Sequence, residues 1–430
     1  MALNLLSLMP EAMVVPNVIT YSAVISACSK GGQWQMGLNL LSQMPGASVV
    51  PNEITYSAAI SACSKGGQWQ VALNLLSLMP EATVVPNEIT YSAAISACEK
   101  GGQWQVALNL LSLMPEATVV PNEITYSAAI SACSTVGQWQ LALELLSLMP
   151  EATVVPNEIT YSAAISACEK GGQWQVALNL LSLMPEATVV PNQITYSAAI
   201  SACSKSGQWQ VALNLLSLMP EATVVPNEIT YSAAISACSK GGQWQVALNL
   251  LSLMPEATVV PNEITYSAAI SACEKGGQWQ LALNLLSLMP QLKILPNVVS
   301  YNAAMDAVSG MGVGYALFRE AFGVGMYPQF WSNSYSTVNL HDMSCGAAVL
   351  AVRWWLAEVV PHLLSGPTTP KLEIITGWGK SQKDVQDAVF QLLHGCQLLS
   401  RIDQNNRGVI TIDGTQLESS DLRRLFTPPS

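Results

Sequence analysis

A block of 35 residues recurs along most of this 430-residue chain almost letter for letter. Pro51 to Met79 reads PNEITYSAAISACSKGGQWQVALNLLSLM, and the text restarts at Pro86, Pro121, Pro156, Pro191, Pro226 and Pro261, always 35 residues on. A period in this range marks a stack of small supersecondary units, none of which can bury its apolar face alone. Such a stack presents one long surface built from the same few positions. Functional residues are therefore to be sought among the positions that repeat, and in whatever interrupts the repeat.

Glu53 to Asn87 serves as one unit. Tyr56, Ala59, Ile60 and Cys63 fall at helical spacing and predict a helix from Thr55 to about Lys65. Gly66-Gly67 should end it, because glycine accepts the left-handed cap. Trp69, Ala72, Leu73, Leu75, Leu76 and Met79 predict a second amphipathic helix, which Pro80 and the Val84-Val85-Pro86-Asn87 stretch are expected to stop. Each unit is then a helical hairpin, and Ala58, Ala59 and Ala62 allow its helices close approach. The eight tryptophans Trp34, Trp69, Trp104, Trp139, Trp174, Trp209, Trp244 and Trp279 are read as packing residues rather than stacking platforms for bases.

Half of the residues are hydrophobic and only 10% are charged, which supplies a core and excludes a disordered chain. No apolar run approaches the roughly 18 residues that a membrane span needs, so no membrane association is expected. Met1 to Asn17 copies the second half of the repeat, as comparison with Ala72 to Asn87 shows, and is not read as a leader. The chain thus starts mid-repeat, and an upstream segment carrying any targeting peptide is expected. Eight of the 10 cysteines share one repeat position: Cys28, Cys63, Cys98, Cys133, Cys168, Cys203, Cys238 and Cys273. With no CxxC or His–Cys cluster, they read as small core residues in a reducing compartment, with neither disulfide nor metal. Net charge is −11, with 8 Lys and 17 Glu up to Asn297. No basic stripe is visible, which counts against strong non-specific nucleic-acid binding.

The 35-residue length, the ITYSAAISACEKGGQWQVALNLLSLM hairpin and the VVPN ending resemble the pentatricopeptide repeat. A tetratricopeptide repeat is excluded, since its length is about 34 and its W-x-x-L-G-x-x-Y signature is missing. Eight full units run from Val18 to Asn297, a partial one occupies residues 1–17, and a degenerate ninth unit with a linker covers 298–329, decaying after about Ala321. The expected fold is an all-α superhelical solenoid of helical hairpins followed by a small α/β domain.

The resemblance implies binding of single-stranded RNA, one base per repeat, read by the fifth and last residues of each unit. These are Ser22 with Asn52, then Ser57/Asn87, Ser92/Asn122, Ser127/Asn157, Ser162/Asn192, Ser197/Asn227, Ser232/Asn262 and Ser267/Asn297. A Ser–Asn pair implies a preference for adenine, hence an A-rich strand. The second residue of each unit would sandwich the bases: Ile19, Ile54, Ile89, Ile124, Ile159, Ile194, Ile229 and Ile264. A structural reading competes, in which each Asn is only a helix cap after a proline and each Ser a small helix residue. The acidic balance departs from the family and favours salt-sensitive binding; it also keeps open a helical protein-interaction scaffold without RNA activity. A monomer is expected, in a chloroplast or mitochondrion, serving RNA processing or stabilisation.

After about Phe330 the text changes. Val338 to His341 reads as a strand, Ser344 to Val360 as an apolar helix, Lys371 to Thr376 as a buried strand, Gln382 to about Leu399 as a helix and Gly408 to Ile412 as a third strand. This β-α-β-α-β order gives a small α/β layer. Roughly Ser336 to Asp413 resembles the Smr domain, placed at 330–413 with residues 414–430 as a tail. Its TGxG turn is intact as Thr376-Gly377-Trp378-Gly379, while its LDxH strand reads Val338-Asn339-Leu340-His341, with Asn for Asp. Some Smr domains nick nucleic acid, which implies His341, Thr376, Gly377 and Gly379 as site residues, Asp342 as the nearest substitute carboxylate and Lys380 as a phosphate contact. Magnesium is the cofactor such a site would use. With the carboxylate replaced, cleavage is expected to be weak. His362 and His394 lack ligand partners and read as structural.

Overall fold

The computed structural model describes residues 2–9, 13–332, 334–365, 371–377, 380–403, 406–413, 417 and 419–426. The chain divides into two compact units, one of residues 1–206 and 210–225, the other of 207–209 and 226–430.

The first unit opens with the short helix Ala2–Leu8 and continues as six helical hairpins, from Val18–Lys30 to nearly all of Trp209–Glu221. First helices pack on first helices, and each second helix packs on its own partner and on the next first helix, so the hairpins form two rows. A capping box starts every first helix. In Glu53–Lys65, Asn52 Oδ1 accepts the Thr55 N–H at 3.1 Å while Thr55 Oγ1 accepts the Asn52 N–H at 2.9 Å. Gly67 ends that helix with φ +68°, and Gly66 lies flat against the Trp34 ring, where a Cβ would overlap the indole. The same contact pairs Trp69 with Gly101 and Trp139 with Gly171, so the tryptophans are packing residues, half-buried over the following hairpin.

Proline does not stop the second helices as the sequence predicts. Trp69–Glu81 carries Pro80 inside its last turn. The stop is Thr83 at φ +58°, where the Val84 N–H reaches back to the Met79 carbonyl at 2.8 Å. This 6→1 bond closes the helix beyond the proline, whose missing N–H costs one bond at the frayed end. Ile60, Cys63, Ala72 and Met79 are fully buried and recur as the core of the following hairpins, with Gly37 at the Ala72 position of the first.

The second unit holds three hairpins and the α/β layer. Its third hairpin is Val298–Val308 with Gly312–Gly323. The layer is a sheet of β1 (Thr337–Asn339), β2 (Leu372–Ile375), β3 (Ser400–Ile402) and β4 (Val409–Ile412), in the order β1-β2-β4-β3. β1 and β2 are parallel, with Asn339 opposite Ile375, and the other pairings are antiparallel. β1 ends two residues before the predicted His341, because Asp342 takes φ +68° and turns the chain. β3, a short polar edge strand, carries no apolar alternation and is absent from the predicted order. The predicted tail contains the helix Ser419–Phe426, whose Leu422 and Phe426 are buried against the helical turn Trp355–Val359.

One segment corrects the expectation about membrane-length runs. Cys345–Leu364 is a 20-residue helical stretch apolar enough to span a bilayer by composition. Here it is the core of the layer: Ala347, Ala351, Trp355 and Val360 are fully buried, against Gly312–Gly323 and Lys380–Gly395 among others. Phe318, Phe322 and Phe330 close that core, with Phe322 and Trp354 ring centroids 4.9 Å apart.

Candidate nucleic-acid interface

The first helices place the fifth residue of one unit, the last residue of the same unit and the second residues of two successive units around one recess. In the first unit, Ile89, Ser92, Asn122 and Ile124 line a recess of about 310 Å³ with Ser61, Lys65 and Lys100. In the second, Ile264, Ser267, Asn297 and Val299 line one of about 300 Å³ with Lys240 and Lys275. These predicted residues therefore converge, although they lie up to 35 positions apart in sequence.

The hydrogen bonding shows what each recess offers. Ser92 Oγ donates to the Glu88 carbonyl at 2.6 Å, and Ser57, Ser127, Ser162, Ser197 and Ser267 repeat this bond at 2.5–2.6 Å. Ser22 and Ser232 pair instead with Thr55 and Thr265 of the next hairpin. Asn122 Oδ1 accepts from the Ile124 and Thr125 N–H groups, both at 3.1 Å.

The other predicted reading asparagines are held the same way. Asn87 accepts from Ile89 and Thr90, Asn157 from Ile159 and Thr160, Asn227 from Ile229 and Thr230, and Asn262 from Ile264 and Thr265, all at 3.0–3.1 Å. Asn192 accepts from the Thr195 N–H at 3.0 Å and from the Thr195 hydroxyl at 2.8 Å. Asn297 accepts from the Ser300 N–H at 3.0 Å. Each of these asparagines follows a proline in extended backbone, where its oxygen falls on the orphan N–H groups of the helix it opens. The competing cap reading therefore holds for the oxygen of Asn157, Asn192, Asn227 and Asn262 as it does for Asn122.

The amide oxygens, and most of the serine protons, are thus spent on helix structure. Serine keeps oxygen lone pairs, and the Asn Nδ2 donors have no acceptor among the described residues. Capping and base reading are compatible, because they use opposite ends of one amide. The isoleucines stand out from this floor: Ile89 is 58% exposed and Ile124 56%.

Lysine was missed by counting charge without register. Lys30, Lys65, Lys100, Lys170, Lys205, Lys240 and Lys275 occupy one repeat position, and both recesses show that position at the rim. Only Lys293 of the array's eight lysines lies elsewhere, so a basic row exists inside an acidic chain. Thr135 interrupts it. Lys205 is partly committed to Glu169 at 2.7 Å.

The eight repeat cysteines are buried free thiols. Burial pushes Cys63, Cys98, Cys133, Cys168, Cys203, Cys238 and Cys273 up to about 11. They are inert core groups.

In the α/β layer the altered strand motif meets the glycine turn. Asn339 Oδ1 accepts from the His341 backbone N–H at 3.0 Å and lies 2.5 Å from His341 Nδ1. An amide oxygen only accepts, so Nδ1 carries the ring proton and Nε2 is the basic atom. Nε2 packs on Gly377, φ +84°, where a Cβ would lie 2.6 Å away. Thr376 is fully buried, donating Oγ1–H to the Gly408 carbonyl at 3.2 Å and accepting from Gln386 Nε2. Trp378, Gly379 and the Lys380 side chain lie outside the described residues. Asp342 lines a cleft of about 740 Å³ together with Asn339 and His341. His362 and His394 are exposed near helix ends. Among the described residues no three His, Cys, Asp or Glu side chains cluster for a metal. Asn339 and His341 beside a single carboxylate do not match the oxygen-rich shell magnesium takes, so no step is routed through that ion.

Three family models match the array. One described as the PPR repeat family matches residues 16–65, 121–170 and 191–240. The pentatricopeptide repeat domain matches 249–311, and the PPR repeat matches 54–84, 89–119, 159–189 and 229–259. The chain belongs to the pentatricopeptide repeat family. Among solved structures, the crystal structure of the pentatricopeptide repeat protein PPR10 in complex with an 18-nt psaJ RNA element superposes with a TM-score of 0.71 at 20% identity, covering 91% of this chain and 56% of that one. A triple cysteine-to-serine form of PPR10 with the same RNA element gives the same values. The structure of PPR10 from maize gives a TM-score of 0.37 at 18% identity, over 92% and 74% of the chains. The chain thus spans little more than half the length of the PPR10 chains it fits best, and that likeness is one of fold. The comparison with curated proteins returned no match.

Proposed function

We propose that the pentatricopeptide array binds single-stranded RNA at about one base per repeat with a preference for adenine. The observation that carries this reading is the recess itself: an oxygen acceptor, an amide donor, exposed apolar side chains and lysines from successive hairpins, seen at Ser92/Asn122 and again at Ser267/Asn297. Adenine presents an amine donor (N6) beside a ring acceptor (N1), which complements the serine oxygen and the Asn Nδ2. The isoleucines give the base faces apolar contact, and the lysines neutralise phosphates. By resemblance, the setting is RNA processing or stabilisation in a chloroplast or mitochondrion. Fluorescence anisotropy with labelled oligo-A, oligo-U, oligo-C and duplex RNA at low salt tests the reading. Oligo-A should bind tightest, with log affinity falling by about 0.7 per contacted phosphate per unit log salt. Equal affinity for all four, or none for oligo-A, contradicts it.

The C-terminal layer is read as an Smr domain that contacts nucleic acid but cuts it poorly. In this reading His341 Nε2 acts as the base, and Asn339 orients the ring without charge to stabilise the imidazolium that proton transfer creates. Asn339→Asp should raise cleavage of A-rich RNA by on the order of 10²–10⁴. Robust cleavage by the unaltered chain, abolished by His341→Ala, would contradict this.

A further inference from the structure

The ninth hairpin stands where a ninth base-reading unit would be, with Val299 second and Asn302 fifth. Its fifth residue is not available. Asn302 Nδ2 donates to the Asp342 carbonyl at 2.7 Å, and Asn302 Oδ1 accepts from the Tyr327 hydroxyl at 2.7 Å. Both ends of the amide are thus engaged, Nδ2 with the loop after β1 and Oδ1 with Tyr327 in the segment before it. Four residues on, Asp306 Oδ1 accepts from Ser344 Oγ at 2.8 Å and from the Gly346 N–H at 2.6 Å, fastening the helix that begins at Cys345. The ninth hairpin is thus a mount for the α/β layer.

What this mounting creates is the 740 Å³ cleft. It is lined by Val299, Met326 and Phe330 and by Asn339, His341 and Asp342, with Asn297 among the lining residues. Asn297 and Val299 also line the last base recess, with Ile264 and Ser267. The last base recess and the cleft share these two residues and so adjoin each other. Apolar side chains, an imidazole and amide groups suit a nucleoside, and the volume exceeds twice that of one base recess.

We propose that this cleft is a binding site for the nucleotide that follows the last base read by the array, held irrespective of base identity beside His341. The proposal rests on the array binding RNA. It differs from a ninth reading position in one respect: Asn302 has no free group with which to select a base.

The test uses the full chain and labelled A8 RNA, then A8 extended by one nucleotide at its 5′ or its 3′ end with each of the four bases. Extension at one end only should tighten binding about tenfold, to within a factor of two for all four bases. Gln329→Trp, an exposed cleft residue outside the base recesses, should remove the gain and leave A8 affinity unchanged, which also reports folding. His341→Ala should reduce the gain as well. If A8 binds but neither extension adds affinity, or the gain survives Gln329→Trp, or it depends on the added base, the proposal is overturned while the array's function stands. If A8 itself does not bind, the functional reading falls and the proposal with it.

Discussion

At the scale of single residues, one asparagine both caps a helix and lines a recess. Asn122 caps a helix through Oδ1 and faces the recess with Nδ2. Replacing it with alanine removes both, and should cost about 1 kcal/mol of stability besides the base contact; a denaturant midpoint compared with the parent chain measures the first term. The cysteines give a second prediction. Their thiols are held neutral up to about 11, whereas in the unfolded chain they ionise near 9.0. The stability they contribute is therefore whole below about pH 9 and lost as pH rises toward 11. The urea midpoint should drop between pH 8 and pH 10.5, and a flat profile would contradict the account. Among the cysteines, only exposed Cys345 and half-exposed Cys396 should react with a thiol reagent at pH 8 before unfolding. Serine, asparagine and isoleucine were legible in the sequence because they recur in register. That the asparagine oxygen goes to the helix and only the amine to the recess was not, because it depends on the extended backbone at the cap. The lysine row was equally periodic but hidden by a summed charge, which discards position.

At the scale of elements, hairpins were legible because Tyr56, Ile60 and Cys63 repeat at helical spacing and glycine marks their ends. The stop after Pro80 was misplaced, since a proline in a last turn forfeits little and the decisive bond comes from Val84. β3 could not be read from Ser400–Ile402, a polar edge strand whose existence depends on its partner β4. The turn at Asp342, which decides how His341 is presented, is likewise set by tertiary contact, here the bond from Asn302 to its carbonyl. The mounting of the layer yields a prediction. Asp306→Ala leaves the Ser344 hydroxyl and the Gly346 N–H without their acceptor in a half-buried position, which should cost about 2–3 kcal/mol. Thermal unfolding should show the loss, and limited proteolysis should speed up between Gly325 and Ser344. An unchanged melting temperature would mean that the contact is idle.

At the scale of the whole molecule, a chain with net charge −11 still places seven of its array lysines at one repeat position. Acidic residues elsewhere limit non-specific attraction, and the lysines supply it locally. The central claim is that the Ser–Asn recesses read bases, and the measurement that addresses it most directly exchanges one amide for a carboxylate. Asn122→Asp keeps an equally good helix cap but replaces the donor with an acceptor. Two acceptors complement the N1–H and N2–H₂ donors of guanine in place of adenine's mixed edge. Affinities are to be measured for A8 and for A8 carrying guanine third from the 5′ or third from the 3′ end, with the parent chain and with the variant. The parent should prefer A8, and the variant should prefer one of the two guanine-bearing strands by about tenfold, in the range of a good base contact. The same ranking of the three strands by both proteins would contradict base reading through these pairs.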